Sequence, residues 1–136
     1  MTMVYAVIDT NVVVSALISH NKNAATVQVI KQIFLNKLIP LYNDEILKEY
    51  VDVLHRSKFK LTKNEIDPLI DTILEYGIDS NRVLYNDILP DEDDRIFYEV
   101  SLSKENSFLV TGNLKHFPKS PFVVTPAQML EIILNE

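Results

Sequence analysis

The sequence AVIDTN, residues 6–11, joins an apolar run to a group of polar residues near the N-terminus. The run from Met3 to Ile8 has the length of a strand and lacks apolar–polar alternation, which is typical of a strand covered on both faces of a sheet. It stops at Asp9, and apolar residues resume within 12–17. Ligands of open α/β sheets bind at the carboxyl ends of the strands, so Asp9 is a candidate site residue. The alternative is that Asp9 only caps the following helix.

The composition predicts a globular protein with a single domain, residues 1–136. Apolar residues make up 47% of the 136 residues, which is enough to form a sizeable core. No apolar run has the length of a membrane-spanning helix, and no basic segment precedes the first apolar run as it does in secretory signals. We therefore expect a protein of the cytoplasm, and the absence of cysteine agrees with that location.

The residue counts also exclude several classes of site. Without cysteine there are no disulfides, thiolate zinc sites or cysteine nucleophiles. Two glycines, Gly77 and Gly112, are too few for a P-loop or a GxGxxG turn. The net charge of −6 argues against nucleic-acid binding through a broad basic surface. Nucleic acid is still compatible as a substrate, because divalent cations held by carboxylates reverse the local field.

One short basic stretch stands out from this acidic background, between His55 and Lys63. Most charged runs of this size are solvated surface. Because this one is the only basic concentration in the chain, we consider it a candidate for contact with a phosphate backbone. Its basic residues are Arg56, Lys58, Lys60 and Lys63.

Strand-like and helix-like segments alternate along the chain. Helix starts are marked by Asn43, by Thr62 three residues before Glu65, and by Pro126. The alternation predicts an α/β fold with three layers, in which a parallel central sheet carries helices on both faces. The predicted strands are 3–8, 38–42, 82–85, 107–111 and 122–124, and the predicted helices are 12–18, 24–35, 44–56, 62–77, one after Asp94, and 126–134.

Polar residues follow several of these strands, and the topology brings them to one edge of the sheet. Asp9 follows the first strand, Asn113 follows the fourth, and Asp94 begins a helix that enters from the same edge. Glu49 lies beside the apolar face of the helix after the second strand, from which it can point across the crevice. Each has a simpler explanation: a helix cap for Asp9 or Asp94 and a turn for Asn113. For Glu49 the simpler explanation is a charged surface stripe that it forms with Glu45, Asp52 and Arg56.

Together these residues predict a metal site. Three carboxylates and an amide at one crevice are costly unless a positive charge lies among them. No lysine or arginine lies near Asp9 in the sequence, and hard oxygen ligands suit Mg²⁺ or Mn²⁺. We therefore predict that Asp9, Glu49 and Asp94 bind a divalent metal, with Asn113 close to it.

Four short motifs occur in a set order: DTN at 9–11, EY at 49–50, DEDD at 91–94 and TGNLKHF at 111–117. Any one of them is unspecific, but the ordered set resembles the PIN-domain family, in the branch associated with the toxins of toxin–antitoxin pairs. The resemblance extends from residue 4 to about residue 130. It implies a metal-dependent endoribonuclease in which Asp9, Glu49 and Asp94 are the catalytic acids. Many members carry a further catalytic acid at the position of Asn113.

Other residues near these motifs are assigned secondary roles. We expect Asn11 to orient the first carboxylate or a water molecule at the metal, and Ser15, one helical turn later, to do the same. Thr111 is assigned a supporting role at the end of the fourth strand. Lys115 is a further candidate for contact with the substrate. Metal-dependent hydrolysis needs no histidine base, so His116 is expected to be structural.

The resemblance also implies partners, namely an RNA substrate, a small antitoxin protein and a second copy of the chain in a homodimer, with no membrane.

Three other interpretations remain open. An aspartyl phosphatase needs a second Asp where this chain has Asn11, and a receiver domain needs adjacent acids after the first strand, which are absent. A catalytically degenerate PIN-like module that binds RNA or a protein is the third, because Asn113 replaces an acid.

Overall fold

A computed structural model of the protein describes residues 3–135, and within them five parallel strands form one sheet. The strands are β1 (Val4–Ile8), β2 (Leu38–Tyr42), β3 (Ile78–Asp79), β4 (Phe108–Val110) and β5 (Val123–Val124). Their order is β3-β2-β1-β4-β5. The chain therefore runs outward from β1 through β2 to β3 and then returns to the other side of β1. Ligand sites of open α/β sheets form at such a reversal of strand order.

Six helices of the described chain connect the strands and cover the sheet, which confirms the predicted three-layer α/β fold. They are α1 (Thr10–Ile18), α2 (Ala25–Phe34), α3 (Asp44–Leu54), α4 (Lys63–Tyr76), α5 (Arg95–Ser101) and α6 (Pro126–Leu134). α2 packs against β2 and α6, whereas α5 packs against β1 and β4. None of these helices within residues 3–135 combines the length and apolarity that crossing a bilayer requires.

The central strand is apolar because the core surrounds it. Ala6 and Val7 have no exposed surface and Ile8 is 1% exposed, and burial of such surface contributes about 25 cal/mol per Å² to folding. Beyond the strand, the Asp9 N–H donates to the carbonyl of Val110 at 2.9 Å. Core packing and this hydrogen bond therefore fix the backbone at Asp9.

The predicted helix starts are confirmed, and each has a local cause. The side chain of Asn43 accepts a hydrogen bond from the Ile46 N–H at 2.8 Å and so caps α3. The Thr62 N–H donates to the Glu65 carboxylate at 2.9 Å in the capping box of α4. Pro126 occupies the first position of α6, where its missing N–H costs nothing.

The predicted strand at Arg82–Tyr85 is wrong, because the third strand is the two-residue segment β3 that precedes it. Within residues 82–85, two backbone N–H groups donate to Glu99 of α5 instead of to a neighbouring strand. The Val83 N–H donates to the carbonyl of Glu99 at 3.0 Å, and the Tyr85 N–H donates to the Glu99 carboxylate at 3.0 Å. Arg82 Nε also donates to this carboxylate, at 2.8 Å. A buried glutamate thus holds the segment beside the helix.

Candidate metal centre

Asp9 lies at the edge of the sheet where the strand order reverses. It occupies the N-cap position of α1, but its side chain makes no cap hydrogen bond. Its Oδ2 instead accepts a hydrogen bond of 2.8 Å from the hydroxyl of Thr111, a fully buried residue directly after β4. The side chain therefore links the ends of β1 and β4 across the reversal, and capping does not account for its position.

Asp9 is only 4% exposed, and its surroundings favour the protonated form. The pKa of Asp9 is raised above its ordinary value, first by burial and further by the charge of Glu49. The hydrogen bonds from Thr111 and from the Thr10 amide oppose this rise, as does nearby His116. Ionised Asp9 is thus a buried charge that lacks full compensation from its neighbours.

Glu49 reaches the same region from α3. Its side chain is half-buried, and Oε2 accepts a hydrogen bond from the hydroxyl of Thr10, the residue after Asp9. The other acids of the predicted surface stripe behave differently, because Glu45 pairs with an arginine at 3.0 Å and Asp52 pairs with a lysine at 2.6 Å. Glu49 is therefore distinguished from that stripe by its contact with the Asp9 turn.

The neighbouring residue Tyr50 holds α3 in place. It is 1% exposed, and its hydroxyl donates to the backbone carbonyl of Ile8, immediately before Asp9. Its ring also packs against that of Phe97 in α5, with centroids 6.3 Å apart. The helix that carries Glu49 is thus anchored at the end of β1 by a buried hydrogen bond.

Asp94 occupies the N-cap position of α5, and like Asp9 it makes no side-chain cap hydrogen bond. Its Oδ2 lies 3.0 Å from Nδ1 of His116. The pKa of Asp94 is raised from 3.8 to about 6, first by burial and then by the charges of Asp9 and Asp91, while His116 opposes the shift. Asp94 and Asp9 therefore interact electrostatically although they lie far apart in the sequence.

His116 and Asp91 extend the site beyond the residues predicted from the sequence. Within residues 3–135, one set of three side chains could share a metal ion, because one potential ligand atom from each lies within 4.8 Å of the other two. The three residues are Asp91, Asp94 and His116. Asp91 belongs to the predicted acidic motif, and its carboxylate also accepts from the Asp93 N–H at 3.0 Å. The sequence signal for His116 is its place in the motif TGNLKHF, three residues after Asn113.

Asn113 contacts the histidine. Its side-chain nitrogen lies 2.8 Å from Nε2 of His116, and its backbone N–H donates to the Thr111 hydroxyl at 3.0 Å. Thr111 in turn donates to Asp9. The connection after β4 thus contacts both Asp9 and Asp94 through hydrogen bonds.

The predicted supporting residues Asn11 and Ser15 make different contacts. The side-chain carbonyl of Asn11 accepts from the Gly112 N–H at 3.2 Å, which ties the start of α1 to the turn after β4. The hydroxyl of Ser15 lies 3.2 Å from that of Thr26 in α2. Their proposed action on the first carboxylate or on water stays a prediction.

The basic residues predicted to contact substrate are exposed. Lys115 lies in the turn after β4, next to His116, and Lys58 Nζ lies over the ring of Phe59, 5.1 Å from its centroid. The segment Ser57–Phe59 forms a single 3-10 turn after α3. The exposed members of the basic stretch are Arg56, Lys58, Lys60 and Lys63.

The donors at this edge suit a hard divalent cation. Within residues 3–135, no lysine or arginine forms an ion pair with Asp9, Glu49 or Asp94. Arg95 is adjacent to Asp94 in the sequence, but it pairs with Glu92 and Glu99 instead. Carboxylates without a lysine or arginine partner are hard oxygen donors, and such donors fit Mg²⁺ or Mn²⁺.

Comparisons with known proteins agree with this arrangement. A family model described as PIN domain matches residues 5–115, a range that contains all four predicted catalytic positions. No curated protein and no solved structure matches the chain. The matched range includes most of β1, the acids Glu49 and Asp94, and the turn after β4 as far as Lys115. The chain therefore belongs to the PIN-domain family.

Proposed function

We propose that the protein is a metal-dependent endoribonuclease that hydrolyses RNA phosphodiester bonds. The observation that carries this proposal is the shared behaviour of Asp9 and Asp94. Both occupy N-cap positions, neither caps its helix, and neither pairs with a lysine or arginine in the described chain. Burial raises the pKa of both, so their ionised forms are maintained at a cost that a bound cation removes. PIN domains are in general metal-dependent nucleases, which supports the same function.

Asp9, Glu49 and Asp94 are the residues that we propose hold the metal, Mg²⁺ or Mn²⁺. When bound, such a cation supplies Lewis acidity and stabilises the negative charge that develops on the oxygens of the phosphodiester. Asn113, the fourth predicted catalytic position, contributes through His116, with which it shares a hydrogen bond. His116 is also the residue through which the turn after β4 contacts Asp94.

The remaining residues hold the carboxylates in place. Thr111 and Thr10 each donate one hydrogen bond, to Asp9 and Glu49 respectively. These bonds fix one oxygen of each carboxylate, and residues that orient metal ligands contribute to affinity. The hydroxyls therefore act as positioning groups for the proposed metal ligands.

The proposed biological role is that of the toxin in a toxin–antitoxin system. Family membership supports it, together with the resemblance of the four ordered motifs to that branch. The partners are then RNA in the cytoplasm, a small antitoxin protein and a second copy of the chain. Co-purification with the product of an adjacent small reading frame tests this role.

The activity is tested by incubating purified protein with mixed RNAs, with Mn²⁺ and with a chelator. Asp9→Asn keeps the size of the side chain but removes its charge. Removing a residue that only orients a metal ligand lowers activity roughly 10- to 100-fold. The rate of RNA cleavage should fall by more than this in Asp9→Asn, because the variant loses a ligand itself. Glu49→Gln and Asp94→Asn should behave alike. Asp52→Asn, in an exposed pair with Lys48, is the matched control and should cleave like the unchanged protein.

Substantial Mn²⁺-dependent cleavage by folded Asp9→Asn would overturn the proposed site. The alternative function, a degenerate module that binds RNA or a protein, rests on the amide of Asn113 at a position where many relatives have an acid. RNA binding without cleavage by the unchanged protein, in any divalent metal, would support that alternative.

A further inference from the structure

A second feature lies beside the proposed metal centre, a groove of about 310 Å³ between α1, α3 and the turn Ser57–Phe59. Its lining is mostly apolar, and its polar members are Thr10, Asn11 and Ser15, all on α1. Ile18 at the rim is 42% exposed, so the groove opens to solvent. The apolar residues of the walls are Val14, Ile18, Val53 and Phe59.

The polar end of the groove adjoins the carboxylates. Thr10 and Asn11 line this end. Thr10 is also the donor to Glu49, and Asn11 binds the turn after β4 through Gly112. The groove therefore adjoins the site of Asp9 and Glu49 at Thr10.

On the side of the groove formed by the turn Ser57–Phe59, an aromatic ring is combined with positive charge. Phe59 is half-buried, and the ammonium of Lys58 lies 5.1 Å from the centroid of its ring. Arg56 and Lys60 flank this turn and are exposed. In a chain whose net charge is −6, this rim is a local concentration of cations.

These features match one nucleotide unit of RNA. A flat aromatic wall stacks against any base, aliphatic side chains cover its edges, and cations at the rim balance the backbone phosphates. A base in a duplex has both faces stacked and cannot enter, so the ligand is single-stranded. An apolar side chain of a protein partner would fill the walls but gain nothing from the cations.

We propose that this groove binds a nucleobase of single-stranded RNA, adjacent to the phosphate that lies at the carboxylates. The proposal rests on the proposed nuclease function and specifies how its substrate is held. The base in the groove stacks on Phe59, and the chain continues past Thr10 to Asp9. The groove then sets which linkage of a flexible strand lies at the metal.

The test compares two labelled probes of equal length and charge, a single-stranded oligoadenylate and an abasic ribose-phosphate oligomer. Binding is measured by fluorescence anisotropy with a chelator present, so that cleavage plays no part. The unchanged protein should bind the oligoadenylate about 5- to 150-fold more tightly, the range that one stacked base contributes. Phe59→Leu keeps an apolar side chain but removes the ring face, and should lose most of this preference. Phe59→Tyr should retain it.

Phe34→Ala is the matched control, because Phe34 is an exposed aromatic residue on α2 that does not line this groove. Equal binding of the two probes by the unchanged protein, or an undiminished preference in Phe59→Leu, would overturn the proposal. Loss of a protein partner from Phe59→Leu with RNA binding unchanged would overturn it as well and assign the groove to that partner. Base-dependent binding without cleavage in Mn²⁺ would leave the groove standing and reject the nuclease function instead.

Discussion

Nδ1 of His116 lies 3.0 Å from Oδ2 of Asp94, so a residue in the turn after β4 contacts the acid that begins α5. On the other side of the ring, Nε2 faces the side-chain nitrogen of Asn113 at 2.8 Å. An imidazole that accepts a hydrogen bond at Nε2 carries its proton on Nδ1, from which it donates to Asp94. The three side chains therefore form one chain of hydrogen bonds that fixes the orientation of the carboxylate.

Replacing His116 by Ala should weaken metal binding. Removal of a group that orients a metal ligand costs about tenfold to hundredfold in affinity, and calorimetric titration with Mn²⁺ measures it. His20→Ala changes an exposed histidine and serves as the control. An Mn²⁺ affinity equal in both variants and in the unchanged protein would show that His116 has only a structural role.

Asn113→Asp should tighten metal binding. The substitution adds a negative charge next to His116 and close to Asp94, and a carboxylate is a stronger ligand for Mn²⁺ than an amide. The dissociation constant measured by calorimetry should fall, whereas Asn113→Ala should not lower it. The rate of cleavage need not follow, because tighter binding of the ground state does not lower the barrier. Unchanged affinity in Asn113→Asp would place this residue outside the metal centre.

Changing Lys58, Lys60 and Lys63 together to Gln should weaken RNA binding. Each phosphate contact that is lost should reduce the slope of log affinity against log salt by about 0.7 for a single strand. Anisotropy titrations of one RNA over a series of NaCl concentrations measure the slope. The matched control is Lys22, Lys31 and Lys37 changed to Gln, which removes the same charge elsewhere. Identical slopes for the two triple variants would show that the basic stretch contacts RNA phosphates no more than other exposed lysines do.

The edge of the sheet that carries the site is predictable from the sequence, because topology determines it. An acid after a strand buried on both faces must lie where parallel strands end, and Asp9 and Thr111 meet there for that reason. The contact of Asp94 with His116 depends instead on the path of two irregular connections. Apolar periodicity says nothing about such paths, so the contact between these two residues could not be predicted from the sequence.

The incorrect strand at Arg82–Tyr85 has a related cause. Its apolar residues fit a strand pattern, but the pattern does not show which acceptor the backbone donors will find. Glu99 supplies that acceptor from α5, and its side chain is only 3% exposed. Buried glutamates are rare unless they are paired. This one pairs with Arg95 one helical turn before it and with Arg82 in the preceding connection, and the apolar pattern indicates neither contact.

Glu99→Gln should destabilise the fold, because it removes the buried carboxylate that Arg82 and Arg95 share and leaves each arginine with only an exposed glutamate. Breaking a buried pair costs about 3 kcal/mol, which urea denaturation measures. Burial alone would raise the pKa of Glu99, but the Tyr85 N–H and the arginines lower it below its ordinary value. Its stabilising effect is therefore present above pH 4.5 and lost as the pH falls through the lowered pKa. Asp52→Asn, the exposed control, should change the free energy of unfolding little, and an equal loss in both variants would contradict this role.

The stability of the protein with and without metal provides a test of the site that needs no substrate. The pKa of Asp94 is raised from 3.8 to about 6, so the folded protein holds more protons in this interval and the metal-free fold loses stability as the pH rises through it. At pH 7 with a chelator, Asp94→Asn should therefore melt at the same temperature as the unchanged protein or higher.

With metal, the order of the two melting temperatures should reverse. Mn²⁺ that binds only the folded state adds about 2.7 kcal/mol to the stability of the unchanged protein at a hundredfold excess over Kd, whereas the variant lacks a ligand and gains less. Asp52→Asn with Mn²⁺, and NaCl at equal ionic strength, control for general charge effects. If Asp94→Asn and the unchanged protein respond identically to Mn²⁺, Asp94 is not a ligand, because a surface or capping aspartate produces neither the gain nor the reversal.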